Sequence, residues 1–173
     1  QAIIHELLPR KSLLKRKDPG KGVEYQLIAA NIDYAIIMQS ADTDFNLNRL
    51  ERYLVMVHEA GIEPLIVLSK VDLISEDEVS AIKANIERLD GSYKILPISN
   101  ISDEGMNELL SELKAGMTYS LLGSSGVGNT SLLNKLIGEN IHTHVGFFTI
   151  VIRNSLSPEI IQAAVKNSYI GRR

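Results

Sequence analysis

The chain has 173 residues, 45% of them hydrophobic, but only 5% aromatic and none tryptophan, which bounds it to one domain, or one domain plus a fragment, around an aliphatic core. Cysteine is absent, which excludes disulfides and thiolate metal sites and agrees with a reducing cytoplasm; no apolar run approaches a membrane span and no signal peptide is expected. The net charge of −3 is uneven, because Arg10, Lys11, Lys15, Arg16, Lys17 and Lys21 face only Glu6, Asp18 and Glu24 in the first 25 residues. Such a basic segment on an acidic body fits either a polyanionic partner or a solvated loop.

From residue 33 strand and helix alternate. Tyr34 to Gln39 is short and apolar, as a buried strand is; Asn46 to Ala60 carries Leu47, Leu50, Leu54 and Val57 on one helical face and is stopped by Gly61. Leu65 to Ser69 is a second strand. Ser75 with Glu78 makes a capping box for a helix running to about Leu89, broken by Asp90-Gly91. Tyr93 to Ile98 is a strand, Ser102 or Asp103 caps a helix ending near Ala115-Gly116, and Met117 to Leu122 is a strand leading through a glycine loop into a helix over Ser131 to Leu136. Phe147 to Ile152 is a further strand, and Ser157-Pro158-Glu159 opens a helix to about Lys166 with Ile160, Ile161, Ala164 and Val165 apolar. These repeated units predict an α/β fold, a mostly parallel sheet with helices on both faces.

The glycine loop, Gly123-Ser124-Ser125-Gly126-Val127-Gly128-Asn129-Thr130 followed by Ser131, has the strand–loop–helix setting of a phosphate-binding loop. Its glycines let backbone N–H groups close on phosphate oxygens, and the helix N-terminus adds a favourable dipole. Thr130 stands where a hydroxyl binds Mg²⁺. Asn129 stands where the pattern has lysine, so it can donate a hydrogen bond but brings no charge. Upstream, Ser69-Lys70-Val71-Asp72 follows a strand end. An aspartate there can accept from the N1–H and 2-amino groups of guanine, which adenine does not offer, while the lysine stem lies along the base. The alternative is a strand-end turn with an Asp cap. Ser99-Asn100-Ile101 can give a backbone N–H to a guanine oxygen and a hydroxyl that braces the loop, or can be a plain Ser/Asn turn. All three lie at strand C-terminal ends, where open α/β sheets bind ligands. The two base-side turns precede the phosphate loop, an order that implies a circularly permuted P-loop GTPase domain. His142-Thr143-His144 can be a metal pair, a switch remnant or an exposed turn.

With these motifs in hand, the chain resembles the circularly permuted ribosome-biogenesis GTPases of the RsgA family. The matching text is Leu7-Leu8-Pro9-Arg10-Lys11-Ser12-Leu13-Leu14, Gln26-Leu27-Ile28-Ala29-Ala30-Asn31-Ile32-Asp33, Asp44-Phe45-Asn46-Leu47, Leu50-Glu51-Arg52-Tyr53-Leu54, and the two motifs at 69–72 and 123–128. The resemblance implies an N-terminal OB-fold, the permuted GTPase domain and a C-terminal zinc domain, and hydrolysis of GTP to GDP and phosphate during late maturation of the small ribosomal subunit. On that basis residues 1–32 are the end of an OB-fold and a basic linker, 33–155 the GTPase domain, and 156–173 a C-terminal helix, a fragment of a further domain. Ser69, Lys70, Asp72, Ser99 and Asn100 would bind guanine, residues 123–131 the phosphates, and Thr130 Mg²⁺. Arg10, Lys11, Lys15, Arg16 and Lys17 would touch rRNA, since OB barrels grip nucleic acid through basic grooves. A cytoplasmic monomer is expected.

Three departures qualify the resemblance. Asn129 removes a preorganised stabiliser commonly worth about 3–4 kcal/mol in the transition state. No aspartate follows Asp103, so an Asp-x-x-Gly turn for Mg²⁺ and water is missing. Without cysteine the family's zinc site cannot form. Two accounts cover the gaps: the stretch around 139–168 joins pieces of a longer enzyme whose mobile parts are missing, which is favoured, or the chain is a shortened relative that binds rRNA and guanine nucleotide without turnover. An adenine-specific P-loop ATPase or kinase is disfavoured by Asp72.

Overall fold

The computed structural model describes residues 5–6, 9–17, 25–90, 92–137, 150–154 and 161–165. Twelve regular elements follow along these residues: β1 (Leu13–Lys17), β2 (Tyr25–Ala30), β3 (Tyr34–Ser40), α1 (Leu47–Glu59), β4 (Glu63–Ser69), α2 (Glu76–Asp90), β5 (Ile95–Pro97), α3 (Met106–Glu112), β6 (Thr118–Gly123), α4 (Asn129–Ile137), β7 (Ile150–Asn154) and β8 (Ile161–Val165). One sheet has the order β5-β4-β3-β6-β7-β8, with β5, β4, β3 and β6 parallel and β7 and β8 antiparallel to their neighbours. The mostly parallel α/β sheet expected from the sequence is therefore present.

The parallel strands are nearly continuous apolar runs because both their faces are covered. Ile36, Met38, Val67, Leu96 and Ile98 pack with Met106 and Leu109 of α3 and with Leu132, Leu133 and Leu136 of α4. Ala35, Ile37, Ile66 and Leu68 pack on the other side with Leu50, Tyr53, Leu54 and Val57 of α1 and Ile86 of α2. Each fully buried aliphatic side chain here contributes about 1.5–3 kcal/mol by leaving water.

Local chemistry sets the helix ends. The Asn46 side chain accepts from Arg49 N–H at 2.9 Å and starts α1. At its other end Gly61 adopts φ +66° while Ile62 N–H returns to Val57 O at 3.1 Å, the glycine stop seen in the sequence. The Ser75–Glu78 capping box forms in both directions: Ser75 N–H donates to Glu78 Oε2 at 2.9 Å and Glu78 N–H to Ser75 Oγ at 3.3 Å.

Several expectations need correction. The third helix starts at Met106, with neither Ser102 nor Asp103 as its cap; Gly105 is the cap residue. The cause is a tight turn in which Asp103 and Gly105 both take positive φ and Ser99 N–H bonds Glu104 O at 3.0 Å. The helix expected over 157–166 is instead, where described, strand β8, because Ile161 to Val165 pairs antiparallel along the whole of β7, from Asn154↔Ile161 to Ile150↔Val165. Pairing with a neighbour overrides the weak helical spacing of this short, largely apolar segment. The basic N-terminal stretch forms an antiparallel pair, β1–β2. Leu14 anchors it against the α1 side of the core, and Ser12 exchanges two hydrogen bonds with the Ile32 backbone, at 2.7 and 2.8 Å. His142, Thr143, His144 and the helix start Ser157-Pro158-Glu159 lie outside the described residues, as does most of 139–168.

Candidate nucleotide site

β6 ends at Gly123 and α4 begins at Asn129, so the loop between them turns at the C-terminal edge of the parallel strands. The turn needs its glycines. Gly126 and Gly128 have φ +81° and +99°, and a Cβ on Gly123 would lie 2.7 Å from Asn129 Oδ1 and 2.9 Å from Val127 Cγ2. Val127 is fully buried and pins the loop to the core, while Ser124 and Ser125 stay at the rim. Leu132 N–H bonds Gly128 O at 2.9 Å, so the helical ladder starts inside the loop and its first N–H groups face the cradle. Thr130 and Ser131 lie on that first turn.

Asn129 is 5% exposed and folds back across the loop, its Nδ2 donating to Ser124 O at 3.3 Å. Its Oδ1 is buried without a hydrogen-bond partner. A short amide here braces the loop on itself, whereas a lysine would extend a cation beyond it.

Both turns expected on the base side are bonded to this loop. Ser69, the last residue of β4, is fully buried, and its hydroxyl donates to Val127 O at 2.5 Å. Asn100, in the turn after β5, donates through Nδ2 to Gly128 O at 3.4 Å, and a Cβ on Gly128 would come within 2.8 Å of that nitrogen. Ser99 is buried, its hydroxyl accepting from Ile101 N–H and Ser102 N–H at 3.1 Å each. Three turns separated in sequence thus share one edge of the sheet. Asp72 is exposed on a 3-10 turn, Val71–Leu73, that follows Ser69 directly. Val71 N–H bonds Ile98 O at 3.3 Å, which ties this turn to the end of β5.

Lys70 precedes that turn in the left-handed region, φ +61°, a costly conformation for a residue with a side chain. Its ammonium is held by Asp42 Oδ2 at 2.9 Å. Lys70 and the Asp44 N–H, 2.9 Å from Asp42 Oδ1, draw the Asp42 carboxyl down to about 2 from 3.8. A depressed carboxylate stabilises above its unfolded value and loses that contribution as pH falls through its folded one. Both side chains are partly solvated, at 21% and 34% exposure, so screening limits the pair to about 1 kcal/mol. Urea unfolding of Asp42→Asn should therefore show about 1 kcal/mol less stability than the unmodified chain at pH 6, a gap that closes between pH 4 and pH 2.

The loop after β3 is the part of the site the sequence did not reveal. Asp44 Oδ2 is 3.5 Å from Ser124 Oγ and 3.0 Å from an Arg49 guanidinium nitrogen, and Arg49 also reaches Gln39 Oε1 at 3.3 Å. The signal for it is the strand order: β3 borders β6 directly, so the loop leaving β3 must adjoin the loop leaving β6.

The candidate RNA contacts lie on β1 and the segment before it. Arg10 and Lys17 are exposed, Lys11 pairs with Asp33 at the opposite end of β3, Lys15 stands 4.6 Å from the Tyr25 ring centroid, and Arg16 Nε donates to Gln26 Oε1 at 2.7 Å. Among the described residues no three His, Asp or Glu side chains cluster as a metal site, and no helix is long and apolar enough to cross a membrane.

A glycine loop joining strand to helix, with the strand-end turns at 69–72 and 99–100 before it in the chain, fits a circularly permuted P-loop fold. The RsgA GTPase family model matches residues 7–148, and the chain belongs to that family. It is 46% identical over 133 residues to small ribosomal subunit biogenesis GTPase RsgA 2 of Vibrio parahaemolyticus, covering 77% of this chain and 37% of that protein. It is 40% identical over 139 residues to the RsgA of Methanosarcina acetivorans, covering 80% and 37%. Among solved structures, YjeQ from Thermotoga maritima matches with a TM-score of 0.64 and 26% identity over 84% of this chain and 49% of that one. YloQ, a circularly permuted GTPase, matches in fold with a TM-score of 0.59 and 22% identity, over 92% and 57%. The chain therefore spans well under half the length of these two RsgA relatives.

Proposed function

We propose that the chain binds GTP and GDP at the edge formed by residues 69–72, 99–100 and 123–131, and serves, as its RsgA relatives are named for, in small ribosomal subunit biogenesis by hydrolysing GTP to GDP and phosphate. The observation that carries this reading is the pair of hydrogen bonds from Ser69 and Asn100 to Val127 O and Gly128 O, which join base-side and phosphate-side turns into one receptor. Asp72 selects guanine through its N1–H and 2-amino donors, Lys70 lies along the base, and Ser99 holds the turn that faces the guanine oxygen. Gly123, Ser124, Ser125, Gly126, Val127, Gly128, Asn129, Thr130 and Ser131 wrap the phosphates through backbone N–H groups. The Thr130 hydroxyl is the Mg²⁺ ligand this chain offers, a hard oxygen donor of the kind Mg²⁺ takes, and the ion would offset phosphate charge. Residues 1–32, as the end of an OB-fold, and the cations Arg10, Lys11, Lys15, Arg16 and Lys17 would meet rRNA. The setting is cytoplasmic and the chain monomeric.

Asn129 supports a second reading, a module that binds rRNA and weakly holds guanine nucleotide without turnover, because its amide braces Ser124 O where a cation would reach the phosphates. Titration with labelled GTP, GDP and ATP in Mg²⁺, followed by phosphate release with and without small subunits, separates the two. Binding without release identifies the module, and equal affinity for ATP and GTP removes the guanine reading. Asp72→Ala should erase at least a tenfold preference for GTP over ATP, because two guanine donors lose their acceptor.

A further inference from the structure

We infer that Arg49 supplies the side-chain cation of this phosphate loop, released from Asp44 when nucleotide enters. This rests on the guanine-nucleotide reading above and assigns the positive charge that Asn129 withholds.

The geometry is specific. Arg49 sits in the first turn of α1, its side chain only 19% exposed, and is held by Gln39 Oε1 at 3.3 Å, Asp44 O at 2.5 Å and Asp44 Oδ2 at 3.0 Å. The same Asp44 Oδ2 lies 3.5 Å from the hydroxyl of Ser124, the second residue of the loop. One carboxylate oxygen therefore spans Arg49 and the rim of the cradle. Gln39 is fully buried with its Nε2 unpartnered, so the platform under Arg49 is anchored on β3, the strand next to β6. A guanidinium is a planar fork suited to two phosphate oxygens at once and never loses its charge.

A phosphate chain in the cradle would bring negative charge toward Asp44. Like charges at that distance repel, and the arrangement relaxes when Arg49 turns from the carboxylate to the phosphate oxygens. Asp44 is exposed enough, at 53%, to swing into water. The exchange is one charge-assisted pair for another, with no bond made or broken.

The test is titration of the full chain with fluorescent GDP and GTP in Mg²⁺, with thermal melts of each variant alongside. Arg49→Gln should weaken both nucleotides at least tenfold, and Arg49→Lys by less, since the charge stays and the fork goes. Asp44→Asn should tighten binding about threefold, because it frees Arg49 and removes the repulsion. In an Asn129→Lys background Arg49→Gln should cost much less, the new ammonium sharing the duty. The inference is overturned if Arg49→Gln binds as the unmodified chain does, or if Asp44→Asn weakens binding as Arg49→Gln does, which marks a structural pair. Should Arg49→Gln melt early, Asp44→Asn still decides, because it leaves the arginine in place. If neither the unmodified chain nor Asn129→Lys binds any nucleotide, the guanine-nucleotide reading falls and Arg49's role with it; if Asn129→Lys binds and Arg49 is immaterial in both backgrounds, only the role of Arg49 falls.

Discussion

Asn129→Lys should raise the affinity for GTP and GDP by about a hundredfold. A hydrogen bond to a charged group is commonly worth about 1.5–3 kcal/mol, and here the change adds a full charge as well as a donor. The backbone is ready for it: α4 already starts at residue 129, Gly126 and Gly128 already hold the left-handed turns, and Val127 is already seated in the core. The cost falls on the empty protein. Asn129 is buried and braces Ser124 O, and a lysine in that place loses the brace and desolvates its ammonium until phosphate arrives. The variant should therefore melt lower than the unmodified chain without nucleotide and higher with saturating GDP, since a ligand bound only by the folded state stabilises in proportion to the logarithm of its excess over Kd. Calorimetric titration and paired melts check both halves. An affinity gain under threefold would mean that the cradle is not shaped for phosphate.

Gly105→Ala should destabilise the fold by about 3–5 kcal/mol, near the upper end of what one methyl group can do. Gly105 has φ +71°, and a Cβ there would sit 2.0 Å from Pro97 O, 3.1 Å from Pro97 C and 3.2 Å from Ile98 Cγ2. The obstruction is the backbone of β5, which cannot rotate away. Relief requires the turn from Ser99 to Gly105 to move, breaking the Ser99 N–H to Glu104 O bond and loosening Asn100 from Gly128 O. Nucleotide affinity should fall with stability. Gly61→Ala is the control: φ is +66° there too, but nothing lies within 4 Å of the added carbon, so only the conformational cost of about 1 kcal/mol remains. Urea midpoints of the two variants separate clash from backbone strain, and similar losses in both would refute the Pro97 contact.

The parts of this fold that the sequence made legible are those whose signal is local. Asn46, Gly61 and the Ser75–Glu78 box mark helix ends by chemistry within a few residues, and the apolar runs of β3, β4 and β6 mark strands buried on both faces. The glycine spacing from 123 to 128 located the loop for the same reason. What stayed hidden is decided by pairing and contacts outside the element itself. Ile161 to Val165 looks helical alone and becomes a strand only because β7 lies beside it. Lys15, Arg16 and Lys17 mask β1, whose pairing depends on β2. Asp44 meets Ser124 across 80 residues, and neither residue type announces the contact. The cap of α3 was missed because Ser102 and Asp103 are good cap residues already committed to a tighter turn.

The strand order bears on how the chain reaches this state. β3 joins β4 across a short stretch of sequence, but Tyr34 pairs with Tyr119 across 85 residues, and Ser69 meets Val127 across 58. Closing the longer loops costs more chain entropy, so the β3–β4 half can assemble before β6 docks between β3 and β7. On that order the two sides of the proposed site would form separately and meet at the longest closure, and a nucleotide would act as a latch on the finished sheet rather than a guide to early collapse.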